Sequence, residues 1–123
     1  MKVAIATDDE INIAEHFGRA RGFIIYDVKD AKIRDKQFRV NNFTGHAQGL
    51  HGSGHSPDRH KVILKALSDC NVVISRGMGQ RIYNDLRNAG IQAFIVNESN
   101  TTEAVQNYLD DKLFNHPDKK CNH

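Results

Sequence analysis

The loop between residues 45 and 55, GHAQGLHGSGH, holds the side chains of this chain that are best suited to chemistry. Its three histidines are His46, His51 and His55. Imidazole is a good ligand for borderline metal ions, and imidazoles this close in sequence can converge on one ion. The glycines of the loop, including Gly52 and Gly54, let the backbone come close to a ligand. The pattern predicts a site for a metal-containing ligand, and a solvated loop whose histidines bind nothing is the alternative.

A second candidate is the segment RGMGQR at residues 76–81, which lies between a predicted buried strand and a predicted helix. Free N–H groups and the dipole at a helix N-terminus favour an anion. The spacing matches neither G-x-G-x-x-G nor a Walker loop, so a nucleotide is not predicted. Gly77, Gly79 and Arg81 are therefore candidates for holding some other anion. Met78 is either a soft thioether ligand or a packed side chain.

The loop after the first predicted strand adds His16 and Arg19, in the segment HFGRA. His16 can serve as a metal ligand only if the fold brings it to the same sheet edge as the other two loops. The acidic residues 8–10 are of the type that binds a divalent cation. We favour anchoring of the loop as their role, because no distant acidic partner is evident in the sequence.

Elements predicted from the sequence place these loops. The uniformly apolar run Val3–Ala6 predicts a central strand that is buried on both faces. Further strands are predicted at 22–28, at 32–40 as a charged edge strand, at 72–74 and at 91–96, and helices are predicted to begin at 56–58, after Gly79 and at Asn100.

This order of elements predicts an α/β fold, a mixed five-stranded sheet with helices on both faces and its later strands parallel. Ligands of such sheets bind at the carboxyl ends of the parallel strands. Those ends are followed here by residues 8–9 and 76–79, so the sequence predicts the site at this edge.

Length and composition fit one domain, assigned to residues 1–113 and followed by a flexible tail at 114–123. With 17 basic and 15 acidic side chains the formal net charge is +2, which argues against nucleic-acid binding. The two cysteines indicate no disulfide framework. The N-terminal segment reaches Asp8 too soon for a signal peptide, and no apolar run has membrane-spanning length. A cytoplasmic protein without membrane contact is expected.

Together the segments resemble the dinitrogenase iron–molybdenum cofactor biosynthesis family, which includes NifX-like and NafY-like carriers and the C-terminal domain of NifB-type proteins. The resemblance covers about residues 1–113. It rests on an ordered set of segments: MKVAIATDD at 1–9, EHFGRA at 15–20, the loop 45–55, VVI at 72–74, GMG at 77–79 with Arg81, and AGI at 89–91.

The resemblance implies a ribonuclease-H-like fold and a ligand that is iron–molybdenum cofactor, its precursor or a related metal–sulfur cluster. It implies that His16, His51 and His55 are metal ligands and that Gly77–Gly79 is the turn that cradles the anion. The chain departs from the family pattern at Arg76, where a small residue is common, and by its additional His46 and His60. Many members occur without a nitrogenase, so nitrogen fixation is not implied.

Carriage of an anionic metal–sulfur cluster, without catalysis, is the function we expect. Imidazoles would ligate metal atoms and arginines would hold sulfides, whereas scarce cysteine argues against assembly on a four-cysteine site. Cluster donor and acceptor proteins are the expected partners. One alternative is a metal-dependent hydrolase or nuclease on the same scaffold, which needs several carboxylates around paired ions. Another is a regulatory or interaction module.

Replacement of both His51 and His55 by Ala is expected to weaken cluster binding about tenfold or more, because two imidazole ligands are lost. The free energy of unfolding should change by less than about 0.5 kcal/mol, since a glycine-rich loop contributes little to a core. Anaerobic cluster titration and thermal melting of both proteins measure the two quantities. Equal affinities would disprove the ligand assignment, and a large loss of melting temperature would indicate a structural role.

Overall fold

Strand β1 (Lys2–Thr7) is enclosed on every side. Its residues Val3–Ala6 have no exposed surface. The strand pairs antiparallel with β2 (Gly22–Lys29) and parallel with β4 (Val72–Ser75), so both of its edges are hydrogen bonded. The prediction of a central first strand beside the strand near residue 72 is confirmed. The computed structural model describes residues 1–40 and 63–116 and the backbone of residues 120–121.

The main sheet has the order β3-β2-β1-β4-β6, with β3 at Lys32–Val40 and β6 at Gln92–Ile95. Strands β2 and β3 form an antiparallel hairpin through Asp30 and Ala31, whose φ angles of 56° and 61° are those of a tight hairpin turn. Strand β3 lies at the sheet edge, and most of its side chains are exposed. Its charges oppose pairing with another chain, as the sequence predicted.

Helices cover both faces of this sheet. One apolar cluster includes Leu67, which follows the helical residues 63–66 (α1), and Leu86 of helix α2 (Gln80–Asn88). The other cluster includes Val105 of helix α3 (Thr101–Leu109). Strand β1 contributes to both clusters, because alternate side chains of a strand point to opposite faces. The predicted mixed five-stranded sheet with helices on both faces is confirmed, while the ribonuclease-H-like assignment stays a prediction.

Local signals in the sequence mark where α3 begins and where α2 ends. The side chain of Asn100 accepts the backbone N–H of Glu103 at 2.9 Å and so caps α3. Gly90, with a φ of 83°, follows α2 in the left-handed conformation that glycine adopts without strain. The predicted helix start at residues 56–58 lies outside the described residues. Within the part of the chain that the structure describes, no helix has the length and apolarity to cross a membrane.

A second, two-stranded sheet was not predicted. Strand β5 (Met78–Gly79) pairs in parallel with β7 (Lys120–Cys121). Ahead of β7, His116 donates its backbone N–H to the carbonyl oxygen of Ile95, and Asn115 accepts the N–H of Ile95. These bonds occupy the backbone N–H and carbonyl groups of Ile95 at the edge of β6. The flexible tail at 114–123 stays a prediction as a whole, although its residues 115 and 116 are hydrogen bonded to the sheet.

Arg39 ties edge strand β3 to the segment after α1. Its guanidinium donates to the carboxylate oxygens of Asp69 at 2.9 and 2.7 Å and to the carbonyl oxygen of Ala66 at 3.0 Å. This pairing holds the pKa of Asp69 below its usual range. The adjacent Cys70 is buried, and burial together with the charge of Asp69 raises the pKa of its thiol to about 12. Cys70 is therefore a packing residue of the core.

Gly22 supports the hairpin by its lack of a side chain. A Cβ at this position would collide with the carbonyl oxygen of Arg39 and the ring of Phe38. Gly22→Ala should therefore lower the free energy of unfolding by about 1–3 kcal/mol through overpacking. Gly79→Ala is the control, because a Cβ there meets nothing within 4 Å and only a helix N-cap is altered, at about 0.5 kcal/mol. Urea unfolding measures both changes, and equal midpoints for the two variants would contradict this account.

Candidate functional site

The loop after β1 is fixed by hydrogen bonds within itself. The hydroxyl of Thr7 donates to the carbonyl oxygen of Asn12 at 2.6 Å and accepts the N–H of Glu10 at 3.0 Å. The carboxylate of Asp9 accepts the backbone N–H groups of Ile11 and Asn12 and the side-chain amide of Asn12, at 2.9, 2.7 and 2.9 Å. The prediction that acidic residues anchor this loop is therefore confirmed for Asp9.

Two backbone hydrogen bonds join this loop to the residues after β4. Arg76 donates its N–H to the carbonyl oxygen of Ala14 at 3.2 Å, and Phe17 donates its N–H to the carbonyl oxygen of Gly77 at 2.9 Å. Phe17 is buried, and its ring centroid lies 5.1 Å from that of Phe23. The burial of Phe17 and its hydrogen bond therefore fix the position of the 3-10 turn Phe17–Arg19. The loop after β1 and the residues after β4 meet at the edge that the predicted topology indicated.

A cavity of about 340 Å³ lies where these two segments meet. The charged and imidazole side chains that line it are Asp8, Asp9, Glu15, His16, Arg19 and Arg76. Its size falls within the range of small-ligand sites. The lining therefore combines metal-ligating and anion-binding side chains with carboxylates.

The charges of the cavity are partly compensated within the protein. Nη1 of Arg76 lies 3.7 Å from Oε1 of Glu15, and their side chains are 35% and 75% exposed. The carboxylate of Asp8 accepts the backbone N–H of Arg21 at 2.9 Å. Asp8 and Asp9 are thus engaged with loop N–H groups. Within residues 1–40 and 63–116, the ion pair of Glu15 is long and exposed, and a pair of this kind contributes little.

Two of the predicted site residues, His16 and Arg19, line the cavity. Gly77 follows Arg76, which lines the cavity, and its carbonyl oxygen accepts the N–H of Phe17. Gly79 is the N-cap of α2, with a φ of −63° and no side-chain cap, and Arg81 is exposed in the first turn of that helix. The structure thus brings part of the predicted set to one edge of the sheet.

Of the two roles considered for Met78, a cofactor-binding thioether or a packed side chain, the structure shows the packed side chain. Its side chain is 1% exposed and belongs to the same apolar cluster as Leu86. Packing against the core therefore accounts for it, because a thioether enclosed in this way does not face the cavity. The predicted ligands His46, His51 and His55, with Gly52 and Gly54, lie outside the described residues. Among residues 1–40 and 63–116, no three His, Cys, Asp or Glu side chains form a group able to hold a metal ion.

Arg76 and Glu15 line the cavity although the predicted site set omits both. The sequence did carry a signal for Arg76, since the residue directly follows the strand whose carboxyl end was expected to bind ligand. Nothing comparable marked Glu15, because its proximity to Arg76 depends on the hydrogen bond between Arg76 and Ala14.

Comparison with known proteins identifies the family. The model of a family described as Dinitrogenase iron-molybdenum cofactor matches residues 1–111. The chain belongs to this family. The resemblance stated from the sequence is confirmed, and so is its extent over nearly the whole domain. Association with the biosynthesis of iron–molybdenum cofactor follows at the level of the family.

Individual relatives differ in how much of their length the chain spans. The uncharacterised protein MJ0580 of Methanocaldococcus jannaschii is 26% identical over 113 residues, which are 92% of this chain and 89% of that protein. Protein NifX of Klebsiella pneumoniae is 28% identical over 96 residues, 76% of this chain and 54% of NifX. The FeMo cofactor biosynthesis protein NifB of Herbaspirillum seropedicae is 30% identical over 93 residues, 73% of this chain but 16% of NifB. The chain thus matches nearly all of one relative and only parts of the other two.

A solved structure has the same fold. The apo form of the orange protein of Desulfovibrio gigas superposes with a TM-score of 0.68 at 22% identity, covering 94% of this chain and 92% of that one. The similarity supports the α/β architecture described above.

The anchoring of Asp9 makes the loop sensitive to acid. The backbone N–H of Asn12, then that of Ile11, and the side-chain amide of Asn12 lower the pKa of Asp9 to about 2. Because this folded-state pKa lies below the ordinary value of 3.8, the charged form stabilises the loop fully above about pH 4. That stabilisation is lost as the pH falls through about 2.

A carboxyl-carbon NMR titration should therefore give a midpoint near 2 for Asp9 in the folded protein. The amide of Asn12 should exchange faster over the same pH interval. The urea-unfolded chain is the control, and its Asp9 should titrate near the ordinary value. A folded-state midpoint near 3.8 would show that the three hydrogen bonds do not hold the carboxylate.

Proposed function

We propose that this protein binds and carries an anionic metal–sulfur cluster, such as iron–molybdenum cofactor or its precursor, and does not catalyse turnover. The observation that carries the proposal is the meeting of His16, Arg19 and Arg76 around one cavity at the carboxyl ends of β1 and β4. Membership of the family supports the same class of cargo.

The residue types of the cavity suit a ligand that exposes both metal atoms and sulfides. A neutral imidazole at His16 would ligate an exposed metal atom. The guanidinium groups of Arg19 and Arg76 would donate to sulfides, and the free N–H groups at the start of α2 would favour the same negative charge. His46, His51 and His55 are proposed as further ligands, and Gly52 and Gly54 as close backbone contacts.

Engagement of the carboxylates favours carriage over hydrolysis. A hydrolase with paired metal ions needs carboxylates whose oxygens face the ions. In the cavity, Asp8 accepts a backbone N–H and Asp9 accepts three N–H groups, so their oxygens stabilise the loop instead. The proposal includes donor and acceptor proteins for the cluster as partners, and a cytoplasmic location.

The test is anaerobic titration with isolated iron–molybdenum cofactor, followed by gel filtration and measurement of retained iron and molybdenum. Loss of a group that merely supports a metal ligand weakens binding about 10- to 100-fold. His16→Ala should therefore weaken retention by at least about tenfold. The melting temperature should stay close to that of wild type, because the His16 side chain is exposed.

His116→Ala is the matched control. His116 also carries an imidazole, but its Nε2 lies 3.3 Å from the side-chain nitrogen of Asn97 and does not line the cavity. This variant should retain the cofactor as wild type does. Equal losses in the two variants would contradict a specific role for His16, and no retention by wild type would reject the proposed cargo.

A further inference from the structure

The ion pair between Arg76 and Glu15 joins two side chains of unequal exposure. The backbone of Arg76 is fixed by its hydrogen bond to Ala14 and by the fully buried Ser75 that precedes it. The hydroxyl of Ser75 also donates to the carbonyl oxygen of Gly77 at 2.8 Å, which holds the backbone beyond Arg76. The Arg76 side chain is 35% exposed, whereas that of Glu15 is 75% exposed. The backbone that carries the Arg76 guanidinium is therefore held at the cavity. The Glu15 carboxylate can separate from this guanidinium and enter solvent at little cost in free energy.

The distance between the two charged groups also indicates that the carboxylate is easily displaced from the guanidinium. The 3.7 Å between Nη1 of Arg76 and Oε1 of Glu15 is longer than a charge-assisted hydrogen bond of about 2.7–2.9 Å. Long, exposed ion pairs contribute little to stability. An anion that accepts shorter hydrogen bonds from the guanidinium can therefore displace the carboxylate.

Net charge alone does not attract an anion to this cavity. Its lining has three carboxylates, those of Asp8, Asp9 and Glu15, against the two guanidinium groups of Arg19 and Arg76. Asp8 and Asp9 are held in place by backbone N–H donors. Among the described residues of the lining, a particular guanidinium is therefore a better candidate for holding an anion than the overall charge is.

We propose that Arg76 is the guanidinium that binds the anionic face of the cargo and that Glu15 is its built-in competitor, released when the cargo enters. This inference rests on the proposed function and adds a statement of which cargoes the site retains. A cargo is retained when it carries enough negative charge to displace the Glu15 carboxylate. Sulfido-metal anions meet this condition, whereas neutral or cationic metal species do not.

Binding of tetrathiomolybdate, a soluble dianion of molybdenum and sulfide, tests the inference without requiring the whole cofactor. Visible absorption can follow equilibrium binding at low salt, where such contacts are least screened. Glu15→Gln should tighten binding about threefold, because the competing charge is removed. Arg76→Gln should weaken it at least about tenfold, since charge-assisted hydrogen bonds are lost.

The double variant E15Q/R76Q decides between a local competitor and a general charge effect. If Glu15 acts through Arg76, E15Q should give no gain when Arg76 is absent. Glu103→Gln, on α3 and away from the cavity, removes one negative charge and should leave affinity unchanged. Arg34→Gln, whose 3.9 Å pair with Asp30 lies on the exposed hairpin, is the matching arginine control and should also bind as wild type. Thermal melting establishes that each variant is folded.

Each outcome bears on one of the two proposals. An equal gain from E15Q with and without Arg76, or no gain at all, would overturn the inference, as would the absence of tetrathiomolybdate binding to wild type and to E15Q. If the variants behave as expected while wild type fails to retain isolated iron–molybdenum cofactor, the inference stands and the proposed cargo is wrong. If wild type retains the cofactor but E15Q binds both ligands as wild type does, the cargo stands and the inference falls.

Discussion

The burial of β1 on both faces and both edges is the constraint on which the rest of the structure depends. Because Val3–Ala6 have no exposed surface, this part of β1 must be covered by a helix layer on each side and by a paired strand on each edge. Because β4 pairs with it in parallel, the carboxyl ends of both strands reach the same edge of the sheet. This pairing brings together the two loops that carry His16 and Arg76, and it does so independently of contacts between side chains of the site.

The features that the sequence predicted are those with a local signal. An uninterrupted apolar run marks β1, and Asn100 and Gly90 mark where helices begin and end. The positions of the strands within the sheet then follow from the general rules for connections between strands. For this reason the sheet edge that bears His16 and Arg19 could be predicted. Predicting the sheet required no knowledge of side-chain contacts.

Features that depend on distant contacts were not predicted. Strands β5 and β7 pair across about forty residues, and neither Met78–Gly79 nor Lys120–Cys121 has a strand-like pattern. The thioether of Met78 could have been a ligand or a packed side chain, and neighbours remote in sequence settled it as packed. Glu15 reaches Arg76 only because the backbone of Arg76 is bonded to Ala14. Pair contacts of this kind have no periodicity for a sequence pattern to show.

The environment of Cys70 has a consequence for how this protein meets free metal ions. Thiolate, not thiol, captures soft ions such as copper and zinc. A thiol that is buried and whose pKa is raised to about 12 stays protonated throughout the physiological pH range. Burial and the raised pKa therefore make Cys70 a poor ligand for adventitious ions from the surrounding pool.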